Sequence, residues 1–264
     1  MRPPAHMAFL SVLALFFPLA AGAQREAPVP KELRERFGEW AEKYPSELPN
    51  YAATETVQQT RWSKRGLQEG QRQMVYQYRL QRLPATRELV ESRAAAVPGA
   101  AENKSGAKQG NNRFSDNLAE GYFSKLALLV TSLASRHHEK VKYFFPLEDP
   151  NAVSEYVVVG YRQFSGEALM EVEGKAVYPW GKAWVDPEDG RVARIEEEIE
   201  FKDTHYWIGM DLDRDNPMNA SLPVRIVVRL FVKGHLEVQN EYTYSDFRRL
   251  EGEAAATANP SPHN

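Results

Sequence analysis

The feature that most constrains this chain is the alternation of apolar and polar side chains through residues 180–250. The stretch is interrupted only by short sequences with turn chemistry. At 186–190, Pro187 fixes φ near the start of a turn and Gly190 tolerates positive φ at its end. Lys233-Gly234 marks a second turn between two alternating runs. We therefore predict two antiparallel hairpins, with strands at 181–185, 191–202, 224–232 and 236–244.

The first 23 residues have the order of a secretory signal peptide. Arg2 precedes an apolar run at 8–19, and Ala21-Gly22-Ala23 provides small residues for cleavage. The run is shorter than the about 20 residues that a spanning helix needs. We expect cleavage near Ala23, a periplasmic or extracellular product, and no transmembrane segment after cleavage.

The charge composition and the absence of cysteine exclude some classes of partner and of reaction. The chain has 33 Lys and Arg against 36 Asp and Glu, and it has no basic block. Nucleic acid is therefore not expected as a partner. The chain contains no cysteine, so it has neither disulfides nor a cysteine nucleophile. Residues 24–251 suit a single β-rich domain with a flexible insertion at 97–112, followed by a disordered tail at 252–264.

Two amphipathic helices are predicted. The first covers residues 29–44, with Leu33, Phe37 and Trp40 on its apolar side. The second begins at Ser115 or Asp116, and its broad apolar stripe is formed by Leu118, Tyr122, Leu126, Leu129 and Leu133. Residues 87–96 have weak helical character. Further strands are expected at 51–62, 71–80, 141–145, 156–163 and 168–177, which brings the number to about nine.

The chain lacks the motifs that would identify a reaction. It has no Gly-rich phosphate loop, dinucleotide fingerprint, His-Glu-x-x-His or Gly-x-Ser-x-Gly sequence. Asp211, Asp213 and Asp215 resemble the start of a calcium loop, but Asn216 replaces its Gly and Leu222 its final Glu. We therefore predict no catalytic residue, no metal site and no cofactor.

Three glutamates, Glu196, Glu198 and Glu200, fall on one side of a predicted strand and are called here the outward glutamates. Ala193, Ile195, Ile199 and Phe201 occupy the opposite side. We expect the outward glutamates to face solvent and to pair with Arg225 and Arg229 of a neighbouring strand.

Four segments carry a resemblance to a known family. They are Leu48-Pro49-Asn50-Tyr51, the hairpin from Gly181 to Ile195, Leu222-Pro223-Val224, and Tyr242 to Arg248. Together they resemble uncharacterised exported bacterial proteins that are similar to the outer-membrane lipoprotein carrier superfamily. The resemblance implies an α+β, mainly β fold: a curved antiparallel sheet, or incomplete β-barrel, with helices packed on its concave face. It also implies a cavity that takes acyl chains.

Three functions remain open at this point. The first is a non-catalytic binding protein for lipid or a lipidated protein, with an acyl chain bound near Leu126, Leu129, Leu133, Tyr76 and Trp184. The second is a cell-envelope interaction or stress-sensing module with a filled core. The third is a hydrolase of unknown type. An apolar cavity, an exposed apolar patch and a cleft with convergent polar groups would distinguish them in that order.

Overall fold

The computed structural model describes residues 26–95, 126–146, 155–172 and 175–250, without the side chains of 126–128, 170–172 and 175. The predicted signal peptide, the insertion at 97–112, the start of the second helix and the tail at 252–264 lie outside the described residues.

The described chain is mainly β. Its strands are β1 (Ala27–Pro28), β2 (Tyr51–Trp62), β3 (Gln68–Arg82), β4 (Leu89–Ala95), β5 (Val141–Phe145), β6 (Val157–Gln163), β7 (Met170–Val172), β8 (Lys175–Val177), β9 (Trp180–Val185), β10 (Val192–Phe201), β11 (Thr204–Asp213), β12 (Leu222–Val232) and β13 (His235–Arg249). Eleven of them form one sheet in the order β1-β5-β6-β9-β10-β11-β12-β13-β2-β3-β4. Every strand pair is antiparallel, and the sheet does not close on itself. The mainly β, antiparallel prediction is confirmed.

Both predicted turns form. Gly190 has φ +77°, and a Cβ there would lie 2.4 Å from the backbone of Arg36, so this position needs glycine for both its conformation and its close approach. Lys233 and Gly234 both have positive φ, as a two-residue hairpin turn requires.

Three secondary-structure predictions were wrong. Residues 87–96 were expected to be weakly helical, but Leu89–Ala95 pairs with β3. No strand was expected where β11 lies between β10 and β12. Residues 168–177 were predicted as one strand but form the separate β7–β8 hairpin. In β4 tertiary pairing outweighs local preference, because backbone groups in a sheet are satisfied by a neighbouring strand whatever the local propensity. β11 does have the period-two alternation of a strand, with Tyr206, Ile208, Met210 and Leu212 on one side.

The described residues contain one α-helix and two 3-10 helices. Helix α1 spans Lys31–Glu47. Leu126–Leu133 and Ser135–His137 are 3-10 helices, so the second helix is not α-helical where it is described. Val130 and Leu133, three residues apart, are both fully buried, as a helix with three residues per turn allows. None of the described helices is long and apolar enough to cross a bilayer.

One apolar core joins α1, the first 3-10 helix and one face of the sheet. It includes Phe37 of α1, Leu133 of the 3-10 helix, and Ile195, Ile208 and Tyr242 of the sheet. We call the sheet face that contributes to this core the inner face and the opposite one the outer face. Phe37 also contacts the ring of Tyr143 on β5, with ring centroids 5.2 Å apart.

Candidate functional site

The predicted leucines of the second helix lie against the inner face. Leu129 and Leu133 are buried in the core, and their 3-10 helix contacts α1, β10 and β12. Only the backbone of Leu126 is described. Two of the three leucines are therefore placed where an inner-face ligand would meet them, but both are already enclosed by protein.

Tyr76 and Trp184 lie on different faces. Tyr76 is half-buried on the inner face of β3, and its hydroxyl contacts the sulfur of Met74 at 3.2 Å. Trp184 pairs with Arg194 in the sheet register, and the Arg194 guanidinium covers its ring at 5.2 Å from the centroid. Because Ala183 and Val185 contribute to the core, Trp184 is on the outer face. The structure does not bring Trp184 together with the other four predicted residues.

The most unusual inner-face residue is Glu197, which sequence reasoning did not single out. Its side chain is fully buried, as are those of Ile195 and Ile199 on the same strand. The alternation that places the outward glutamates on the outer face also places Glu197 with these isoleucines. Glu197 is two residues from both Ile195 and Ile199, and this spacing was the sequence signal that indicated its place on the inner face.

A glycine lets an aromatic side chain reach Glu197. In the sheet register, Tyr161 of β6 pairs with Gly181 of β9, which pairs with Glu197. A Cβ at Gly181 would lie 1.9 Å from the carbonyl oxygen of Glu196 and 3.0 Å from the Tyr161 hydroxyl oxygen. With no side chain at Gly181, Tyr161 lies across β9, and its hydroxyl donates a hydrogen bond to the Glu196 carbonyl at 3.1 Å.

Neither carboxyl oxygen of Glu197 has a hydrogen-bond partner among the described residues. The nearby hydroxyls of Ser132 and Tyr161 donate instead to the carbonyls of Leu129, at 2.9 Å, and Glu196. Burial raises the pKa of Glu197 to about 7, although hydrogen bonds from Ser132 and Tyr161 would lower it. The two carbonyls are the acceptors, because each hydroxyl has one proton and a well-placed carbonyl oxygen. A protonated Glu197 could itself donate to the hydroxyl oxygens, which keep free lone pairs.

A second set of polar side chains lies on the inner face, and these side chains are hydrogen-bonded to one another. Asn240 of β13 pairs in register with Gln59 of β2, and Gln59 with Arg72 of β3. Gln59 Nε2 donates to Asn240 Oδ1 at 2.8 Å, and Arg72 Nε donates to Gln59 Oε1 at 2.8 Å. Asn240 Nδ2 donates to the Tyr242 hydroxyl at 3.3 Å. The inner face therefore has a polar strip between apolar regions.

An ion pair lies beyond this strip. The Arg93 guanidinium donates to both carboxylate oxygens of Glu55, at 2.6 and 3.0 Å, and also lies over the ring of Tyr78. Glu55 is fully buried. Burial alone would lower the pKa of Arg93, but the hydrogen bonds and charge of Glu55 raise it above its ordinary value. The pair fixes β4 to β2 across β3.

Several apolar side chains on the inner face are only half-buried. They belong to β3, β10 and β12 and are Met74, Tyr76, Phe201 and Leu230. Phe201 directly precedes the β10–β11 turn and Leu230 lies near the β12–β13 turn, so these two lie at the same end of the sheet. The described hydrogen bonds of α1 reach the β9–β10 turn at the other end, where Arg36 donates to the carbonyl of Pro187 at 2.6 Å.

The outward glutamates do lie on the outer face, but their predicted partners were wrong. Because β11 separates β10 from β12, Arg225 and Arg229 do not neighbour β10. Glu196 pairs instead with Arg194 of its own strand at 2.7 Å, and Glu198 with His205 of β11 at 2.8 Å. Arg194 and Arg225 both contact Asp211, so the outer face has a network of alternating charge.

Asp211 thus belongs to an ion-pair network. Among the described residues, no group of three His, Asp or Glu side chains is arranged to hold a metal ion. No protein family, no curated protein and no solved structure matches this chain in the comparisons.

Proposed function

We propose that this protein is an exported, non-catalytic binding protein for lipid or for a lipid-modified protein. The observation that supports this best is the set of half-buried apolar side chains on the inner face: Met74, Tyr76, Phe201 and Leu230. Large apolar groups left partly exposed on a face that otherwise forms the core are typical of a ligand-binding surface.

In this proposal the sheet curves around its inner face, since an open sheet of eleven strands curls unless it is flattened. Helix α1 and the first 3-10 helix fill one part of the concave side. The acyl chain runs from Phe201 and Leu230 across the strip formed by Asn240, Gln59 and Arg72 to Met74, since the register places this strip between Leu230 and Met74. Arg72, two residues before Met74 on the same side of β3, supplies positive charge for the polar end of the ligand.

The burial of Glu197 favours binding over catalysis. Glu197 and Ser132 are the acidic and hydroxyl groups that a hydrolase could use, but Glu197 is fully buried and Ser132 donates to the Leu129 carbonyl. A general base must reach within hydrogen-bonding distance of the proton it removes. A substrate would have to displace the 3-10 helix to meet this carboxyl.

Binding of a fluorescent fatty acid, such as dansyl-undecanoic acid, tests the proposed surface. We expect saturable binding by the full chain, weakened by Met74→Gln and by Leu230→Gln because each places an amide on the apolar surface. Val75→Gln is the matched control, since Val75 is the next residue on β3 and its side chain is 42% exposed on the outer face. Absence of binding to the unaltered protein, or equal binding by all three variants, would contradict the proposal.

Export is tested separately. N-terminal sequencing of protein recovered from the periplasm or medium should give a chain that begins near Gln24, and mass spectrometry should find co-purified lipid. A membrane-bound product that retains Met1 would refute the predicted cleavage.

A further inference from the structure

A second concave site lies at the end of the sheet where α1 contacts the turns. It is a cleft of about 420 Å³ between the second half of α1, the β9–β10 turn, the β11–β12 connection and the end of β13. Its volume falls within the about 300–1,000 Å³ typical of small-molecule sites. Trp40, Tyr44 and Met218 provide apolar surface. Arg191, Arg214 and Arg249 provide positive charge, and Glu47 and Asp189 provide negative charge.

The walls of this cleft are fixed by hydrogen bonds. In the β11–β12 connection, Asn216 Nδ2 donates to the Ala220 carbonyl at 2.7 Å, and Asn216 Oδ1 accepts from the Met218 amide at 3.1 Å. On the opposite wall, Arg36 of α1 donates to the carbonyls of Pro187 and Glu188 in the β9–β10 turn. A site whose walls are already ordered loses little conformational entropy when a ligand binds.

The charges of the cleft are unevenly compensated. Arg191 is neutralised by ion pairs with Asp186 and Asp189. Arg214 and Arg249 form no ion pair with any carboxylate in the described parts of the chain, and Arg214 makes only a hydrogen bond of 3.3 Å to the Asn219 carbonyl. Because three arginines line the cleft against two carboxylates, Glu47 and Asp189, its net charge is positive and favours an anion.

The ring of Tyr44 forms part of the cleft wall. Tyr44 is only 3% exposed, and its hydroxyl oxygen has less than 1 Å² of exposed surface and no hydrogen-bond partner in the described residues. A ligand in the cleft would therefore meet the ring and not the hydroxyl.

We propose that this cleft binds a small organic anion, with its charged group at Arg214 and Arg249 and its apolar body against Trp40 and Met218. This site is separate from the proposed acyl-binding surface, whose Phe201 and Leu230 lie at the opposite end of the sheet. The ligand class follows from the chemistry of the cleft: an aromatic or aliphatic body with one phosphate, carboxylate or sulfonate group.

Isothermal titration calorimetry of the full chain tests the proposal with phenyl phosphate, benzoate and benzenesulfonate as probes. At least one should bind at least about tenfold more tightly than neutral benzyl alcohol and inorganic phosphate, because each of these lacks one half of the recognised chemistry. Arg214→Gln and Arg249→Gln should each weaken binding about tenfold, the effect of losing one charge-assisted hydrogen bond. Arg79→Gln, at an exposed position on β3, should leave the affinity unchanged.

Binding of no probe at millimolar concentration, or equal affinity in Arg214→Gln, Arg249→Gln and Arg79→Gln, would overturn the proposed site, whatever the result with the fluorescent fatty acid.

Discussion

The buried carboxyl of Glu197 should make the stability of this protein fall as the pH rises. Its pKa is raised by burial from 4.5 to about 7. At low pH the carboxyl is protonated in both the folded and the unfolded chain. Between pH 4.5 and about 7 the unfolded chain releases this proton while the folded chain retains it, so the free energy of unfolding decreases. Above about pH 7 the loss is complete.

The shift corresponds to about 3 kcal/mol, since one pKa unit is about 1.4 kcal/mol. No discount for solvent screening applies, because Glu197 is fully buried. This is a large fraction of the about 5–15 kcal/mol that stabilises an ordinary domain. Glu197→Gln removes the titration and keeps a side chain of similar volume. Relative to the unaltered protein, the variant should therefore gain about 3 kcal/mol between pH 4 and pH 9.

Urea denaturation at several pH values between 4 and 9 measures this gain. Glu200→Gln is the matched control, because Glu200 is exposed on the outer face of the same strand. Its free energy of unfolding should follow that of the unaltered protein at every pH. If the free energy of unfolding of Glu197→Gln also changes with pH in parallel with that of the unaltered protein, Glu197 is paired in the folded state and the reasoning is refuted.

Three further changes test the packing. Leu129→Ala should cost about 2–5 kcal/mol in urea denaturation, because Leu129 is buried in the core; a loss well below this would indicate a void beneath the 3-10 helix. Glu55→Ala should cost about 3 kcal/mol, the lower end of the about 3–5 kcal/mol for breaking a buried ion pair, because it leaves the largely buried Arg93 with only the longer contact to Glu91 at 3.8 Å; a near-neutral result would show that water reaches Arg93. Replacing all three outward glutamates by glutamine should cost only about 0–1 kcal/mol per lost ion pair, and less at high salt, as thermal denaturation with and without salt will show.

Local signals in the sequence were sufficient to predict the two hairpins and α1. The turn at 186–190 depends on Pro187 and Gly190, and the turn at Lys233-Gly234 on two residues that adopt positive φ. Both requirements concern the backbone of a few consecutive residues. The alternation of the flanking strands then determined which side chains share a face, including the outer position of the outward glutamates.

Partners distant in the chain decided the remaining features. β11 was missed although its period-two signal is present in the sequence, since Tyr206, Ile208, Met210 and Leu212 alternate with Trp207, Gly209 and Asp211; β10 and β12 supply its hydrogen bonds on both sides. Because β11 lies between β10 and β12, Arg225 does not neighbour β10, and Glu196 pairs with a different residue. β4 exists because β3 offers an edge, not because its own residues prefer a strand.

The candidate sites show the same division. Alternation was enough to place Glu197 beside Ile195 and Ile199, but only the fold shows that the carboxyl lies beneath the 3-10 helix without a hydrogen-bond partner. The cleft brings Trp40 together with Arg214 and Arg249, which are more than 170 positions away along the chain. A sequence determines local conformation through backbone preferences and side-chain periodicity. Burial and the meeting of distant side chains depend on which elements pack together, and only the tertiary structure decides that.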